Sequence, residues 1–269
     1  MEFYKTLEDI LLECDISSRF AKIEKLYSAF DAGEVAFTSC DKKVFTTPTY
    51  STTCTIVDAK DVPKRKALST TEGKAILLHA IAHIEYSAID LALDACYRFE
   101  GMPREFYADW LEVASDEVRH FEMIEQKLNA LGYKYGDFGV HSFLFEISQR
   151  SLTLLERMAT VPRYLEASGL DSNPKIIEKL SHLGDKDAKD IIEILKIILD
   201  EEVDHVKKGD KWFEYACKQE GVDKSCYFDI VEKILPGAKN KKSFVNVEDR
   251  KKAGFSCDEI RVISNQKCE

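Results

Sequence analysis

Apolar residues recur at helical spacing over most of this chain. The clearest run starts at Ser69-Thr70-Thr71-Glu72, where a Ser followed three residues later by Glu predicts a helix start, and it stops before Gly101-Met102-Pro103. Leu78, Ile81, Ala82, Ile89 and Ala92 form one stripe along it. A second helix is expected from just after Pro103 to about residue 131, ended by Gly132, with Trp110, Val113, Phe121, Ile124 and Leu128 on its stripe. A glycine- and aromatic-rich link, 132–141, leads to a third helix over 142–168 with Leu152, Leu155, Ala159 and Pro162 on one line. Pro162 predicts a bend or bulge there, since it removes a backbone donor from the helix interior. Asn173-Pro174 then opens a linking helix, and the fourth long helix, 187–218, carries Ile191, Leu195, Ile198, Leu199, Val206 and Gly209.

The flanks read differently. Residues 1–30 have helical spacing, whereas 38–62 is rich in Thr, Ser and Val, and its β-branched run Thr53-Cys54-Thr55-Ile56-Val57 predicts extended chain or a small hairpin. A last helix over 225–235 precedes Pro236-Gly237 and a basic run. The pattern predicts an all-α protein: an N-terminal, partly extended arm (1–68), an antiparallel four-helix bundle (69–218), and a C-terminal helix with a basic tail (219–269).

Each long stripe is interrupted by acids or a histidine. Glu85 sits on the first and Glu166 on the third, while Glu117 with His120 and Glu202 with His205 repeat Glu-x-x-His on the second and fourth. Residues i and i+3 lie one above the other on a helix, so each pair presents a carboxylate and an imidazole to one point. A carboxylate alone on an apolar seam costs several kcal/mol, roughly, unless it is paired, protonated or metal-bound. A Glu from each of two helices plus a Glu-x-x-His from each of the other two is the ligand set of ferritin-like di-iron bundles. These six residues are therefore expected to hold two metal ions. Carboxylate with imidazole suits iron, with manganese the alternative, and the lack of thiolates disfavours structural zinc and Fe–S clusters.

Other polar groups compete less well. Glu156 lies about 80° off the line of Glu166, and Asp116, Glu201 and Asp204 fall off the stripes. His79 and His83 lie about 120° and 160° around the helix from Glu85, which points to packing or hydrogen bonding against the N-terminal arm. His141 is expected beside the ligands or substrate, or in a structural hydrogen bond. Arg163 is expected to pair with a ligand carboxylate or to be a surface cation.

Composition narrows the classes. A net charge of −10 argues against a chain that coats nucleic acid. With no long uninterrupted apolar run and no basic-then-apolar start, the expectation is a cytoplasmic protein with no membrane partner. The eight cysteines show no Cys-x-x-Cys and read as reduced thiols. Lys239, Lys241, Lys242, Arg250, Lys251 and Lys252, with Lys60, Lys64, Arg65 and Lys66, make either solvated surface or a patch for an anionic partner.

The chain resembles an uncharacterised ferritin-like domain family of bacterial proteins. The resemblance rests on His79-Ala80-Ile81-Ala82-His83-Ile84-Glu85, Ala88-Ile89-Asp90-Leu91-Ala92-Leu93-Asp94, Arg98-Phe99-Glu100-Gly101-Met102-Pro103, Tyr135-Gly136-Asp137-Phe138, Val161-Pro162-Arg163, Leu165-Glu166-Ala167, Gly169-Leu170-Asp171, Gly209-Asp210-Lys211-Trp212-Phe213 and Lys252-Ala253-Gly254-Phe255. It implies Glu166 over Glu156 as the third-helix ligand and keeps His79, His83 and His141 in the family pattern. It is distantly similar, in ligand layout, to the tRNA hydroxylase that oxidises a hypermodified adenosine beside the anticodon. The activity it implies is O2-dependent oxidation by a di-iron centre, acting on a small molecule or a modified tRNA nucleoside with an electron donor still to be named. Ferroxidase or iron-handling chemistry and a metal-stabilised binding module are the alternatives. A monomer or small homo-oligomer is expected, not a storage cage.

Overall fold

The computed structural model describes residues 1–268, and among the described residues there are helices and two isolated bridges but no strand. The chain divides into two units, Met1–Phe145 and Glu146–Glu269.

The first unit is built on an antiparallel pair, α3 (Thr71–Arg98) and α4 (Arg104–Ala130), preceded by α1 (Phe3–Leu12) and α2 (Ile16–Asp31). The cap of α3 is one residue later than expected: Thr70 accepts the Gly73 amide at 3.0 Å. Gly73 is needed because the chain turns back over this first helical turn, and a Cβ there would lie 2.1 Å from the Ala67 carbonyl oxygen. Helix α1, with Phe3, Leu7 and Ile10 buried, packs on α3, and α2 packs on α4. Arg19 of α2 is fully buried and bonds Thr49, Tyr86 and Asp90, tying the extended segment and α3 to α2.

The β-branched run forms no hairpin. Thr49–Thr52 is a 3-10 turn, and Val57 and Thr55 pair instead with Val140 beyond α4 (2.8 and 3.0 Å). The run pairs with a distant loop, not with its sequence neighbours. Helix α3 is long and apolar enough to cross a membrane, but 78% of its most apolar window is buried inside the protein.

The second unit departs further from the pattern. The expected third helix is broken into α5 (Phe143–Arg150), which links the units, α6 (Leu154–Thr160), a π-helical turn (Val161–Glu166) and α7 (Ala167–Ser181). Leu152, expected on the apolar line, is 72% exposed in the break, where Thr153 and Glu156 form the capping box of α6. Pro162 lies in the π turn, so the predicted irregularity is present. Gly169 and Pro174 do not end or open a helix; α7 runs through both. Pro174 leaves the Leu170 carbonyl without its helical donor, and the Asn246 side-chain amide supplies one at 3.3 Å. Helix α6, the π turn and α7 pack on α8 (Lys186–Glu220), which ends at Gly221 in a left-handed conformation (φ 66°).

The tail adds α9 (Tyr227–Ile234) and two short helices that the sequence pattern did not show, α10 (Val247–Lys252) and α11 (Cys257–Ile263). Cys257 and Cys268 form a disulfide, which corrects the reading of all eight cysteines as thiols.

Candidate metal centre

Glu85 of α3 meets Glu117 and His120 of α4 in the core of the first unit. Short loops and long helices bring them to mid-height, and the flanking stripe of Leu78, Ile81, Ala82, Val113, Phe121 and Ile124 is buried around them. Glu117 and His120 are 0% exposed and Glu85 3%. His120 Nδ1 lies 3.2 Å from Glu117 Oε2 and 3.4 Å from Glu85 Oε2, and one donor atom from each residue lies within 4.8 Å of the others.

The electrostatics follow from that burial. Glu85 is pushed well above the usual carboxylate range, first by loss of water and then by the charge of Glu117. His120 is opposed by burial, yet its hydrogen bonds and charge contacts with Glu117 and Glu85 raise it to about 11. Two carboxylates sharing a dry site with one imidazole make a poor neutral cluster and a good cation cradle. Hard oxygen donors with one nitrogen fit iron or manganese, so the residues present fit a metal ion.

In the second unit, Glu202 and His205 are buried on one face of α8. Glu166 is the last residue of the π turn and is half-buried. That turn is pressed against α8, where a Cβ on Gly209 would lie 2.4 Å from Pro162 Cβ. Arg163, next to Pro162, is fully buried: its Nε bonds Asp210 at 2.6 Å and its Nη2 bonds Glu259 at 2.8 Å. The rings of Phe213, Tyr227 and Phe255 enclose its guanidinium. Glu156 accepts the amides of Leu152 and Thr153 and pairs with Lys233.

His79, His83 and His141 hold the loop after α4. His79 Nε2 accepts the amides of Gly136 (3.0 Å) and Phe138 (3.4 Å). His83 bonds the Tyr135 hydroxyl and the His141 carbonyl, and Tyr50 from the extended segment packs edge-on against its ring. His141 therefore contributes its backbone oxygen here, and its ring Nδ1 accepts the Phe143 amide at 3.4 Å. Helical spacing excluded His79 and His83 from the seam but carried no signal for a partner 52 residues away.

The basic run is largely engaged within the second unit. Arg250 is buried and bidentate to Asp171 (2.9 and 2.7 Å), Lys242 also reaches Asp171, Lys239 pairs with Asp229, and Lys252 with Glu248 and Asp249.

An uncharacterised protein of Haemophilus influenzae is 42% identical over 218 residues, covering 76% of this chain and 72% of that one. No solved structure matches the chain. With a family model matched over residues 12–261, the chain belongs to the family described as "Protein of unknown function (DUF455)".

Proposed function

We propose that this protein is an O2-dependent oxidoreductase with a two-metal carboxylate centre in a ferritin-like bundle. In this reading Glu85, Glu117 and His120 hold one side of an iron pair, and Glu166, Glu202 and His205 hold the other. The observation that carries it is the convergence of Glu85, Glu117 and His120 in a water-excluded core, a cluster that could hold a metal ion. The second Glu-x-x-His on α8, with both members buried, supports the matching half. The distant likeness to the tRNA hydroxylase family supports oxidation of an organic substrate over storage.

Iron bound there supplies reduction of O2 and attack on a substrate C–H bond. The chain's own part is narrower. Glu117 and Glu85 supply negative charge, His120 presents Nδ1 between them, and the apolar stripes keep water out. Of the two substrate classes, the small molecule is favoured. Arg250, Lys242, Lys239 and Lys252 pair with acids of their own unit, which leaves less positive charge for a tRNA backbone.

The test is oxygen uptake when ferrous iron is added to the metal-free protein. A limited uptake that then needs a reductant and substrate to continue supports the oxidoreductase. Continued uptake with ferrous iron alone marks a ferroxidase, and none marks a metal-stabilised binding module. For the tRNA variant, identical nucleoside profiles from a deletion strain and its parent remove it.

A further inference from the structure

Asp210, Phe213 and Cys217 lie on one face of α8, and each meets the segment that follows the helix. Lys224 donates to Asp210 at 2.8 Å, and the rings of Phe213 and Tyr227 meet edge-on with centroids 5.7 Å apart. One turn further along the same face, the thiols of Cys217 and Cys226 are in hydrogen-bonding contact. The chain between the two sulfurs is fixed at both ends. The Cys217 carbonyl accepts the amides of Gly221 and Val222, and Gly221 makes the left-handed turn. Asp223 then accepts the Ser225 amide with its side chain and the Cys226 amide with its carbonyl, which closes the 3-10 turn Lys224–Cys226 at the start of α9.

A buried thiol is ordinarily a small hydrophobe and needs no second thiol beside it. Two features set this pair apart. Cys217 is 3% exposed whereas Cys226 is half-buried, so a small solute can reach one sulfur and not the other. The surroundings are also not apolar. Burial and the neighbouring Cys226 raise the Cys217 pKa to about 12, while Arg163 and Lys224 both pull it down. Arg163 Nη1 is itself buried with no hydrogen-bond partner among the described residues. Burial raises the Cys226 pKa as well, so both sulfurs rest as thiols and the pair reacts slowly. Cations beside the inner sulfur favour its thiolate at the moment it attacks.

We propose that Cys217 and Cys226 are an oxidation site, a thiol pair that hydrogen peroxide converts reversibly to a disulfide. The Cys226 sulfur attacks the peroxide: an S–O bond forms, the O–O bond breaks, and the thiol proton leaves with the other oxygen as water. The Cys217 sulfur then attacks the Cys226 sulfenic acid. The S–S bond forms, the S–O bond breaks, and the Cys217 proton leaves with that oxygen as a second water. The two thiols lose two electrons and two protons in all, and one peroxide becomes two waters. The new bond staples the start of α9 to the end of α8, beside the contacts that Asp210 and Phe213 already make. A small thiol reverses it by exchange. Neither step uses the metal centre.

The experiment is peptide mapping of the full-length protein, reduced and then exposed to graded hydrogen peroxide, with remaining thiols alkylated in denaturant before trypsin digestion. Cys217 and Cys226 fall on separate tryptic peptides, 212–218 and 225–233, so a bond between them appears as a joined pair. The expected result is that joined pair, formed at doses that leave the buried Cys54 and Cys96 as thiols and lost on adding dithiothreitol. In Cys217→Ser the Cys226 sulfenic acid should persist and be trapped by dimedone, and in Cys226→Ser Cys217 should stay a thiol. The unsubstituted protein carries the test even where a variant fails to fold. Recovery of both cysteines as thiols once the exposed Cys14 is oxidised overturns the proposal, and so does Cys226 joined to any other cysteine. A dimedone adduct on Cys217 in Cys226→Ser overturns the order of attack.

Discussion

Gly209 of α8 faces Pro162 of the π turn so closely that a Cβ at 209 would lie 2.4 Å from Pro162 Cβ and 2.7 Å from its Cγ. The proline ring cannot rotate away, so Gly209→Ala must separate helix and turn. Overpacking of this kind costs about 1–3 kcal/mol. Because Glu166 closes the turn and His205 lies one helical turn before Gly209, the variant should also bind iron less tightly. Chemical denaturation and iron titration check this, and a variant matching the parent in both would show that the contact is soft.

Asp171 and Arg250 form a buried pair, and Lys242 shares the same carboxylate. Removing one partner leaves the other charge without its counter-ion in the core, so Asp171→Ala should cost about 3–5 kcal/mol in a denaturation experiment. Burial works to raise the Asp171 pKa, but the hydrogen bonds and charges of Arg250 and Lys242 outweigh it and the net shift is downward. Its contribution is then present above the ordinary 3.8 and lost as pH falls below it. An Asp171→Asn penalty unchanged between neutral and strongly acidic solution would contradict this.

Burial lowers the His79 pKa from the ordinary 6.5 to about 4 against the opposing pull of Asp137. The unfolded chain binds a proton that the folded chain refuses, so stability is full above 6.5 and declines as pH falls toward 4. His83 and Tyr135 face the same loop and His83 contributes in the same direction. Denaturation of His79→Gln over this window should show a shallower pH slope than the parent. An unchanged slope would mean that His79 titrates normally.

The Cys257–Cys268 bond closes the end of the chain onto α11. A loop of this length stabilises by about 2–4 kcal/mol, chiefly through the unfolded state. Cys257→Ser should lower the stability of the protein by that order in a denaturation experiment. Peptide mapping without reductant should recover the two cysteines linked, and their recovery as free thiols would contradict the assignment.

The long helices were legible because propensity, stripe and stop signal agreed: α4 begins after Pro103 and ends beside Gly132, and α8 carries one apolar face throughout. The failures have physical causes. Ser69 and Thr70 are both good caps, and the backward turn at Ala67 selects Thr70. Pro174 reads as a helix start until Asn246, 72 residues later, supplies a donor for the Leu170 carbonyl, a contact that no local pattern contains. Helices α10 and α11 are too short for periodicity to show. At the site, Glu85, Glu117 and His120 were legible as polar residues on apolar stripes, whereas the Tyr135–His83 bond depends on where a loop folds back.

Anomalous diffraction at the iron edge from iron-loaded crystals would show whether a metal pair is held by Glu85, Glu117, His120, Glu166, Glu202 and His205. Two peaks are expected, one at each Glu-x-x-His pair. Crystals that take up no iron, or iron bound away from these six side chains, would contradict it.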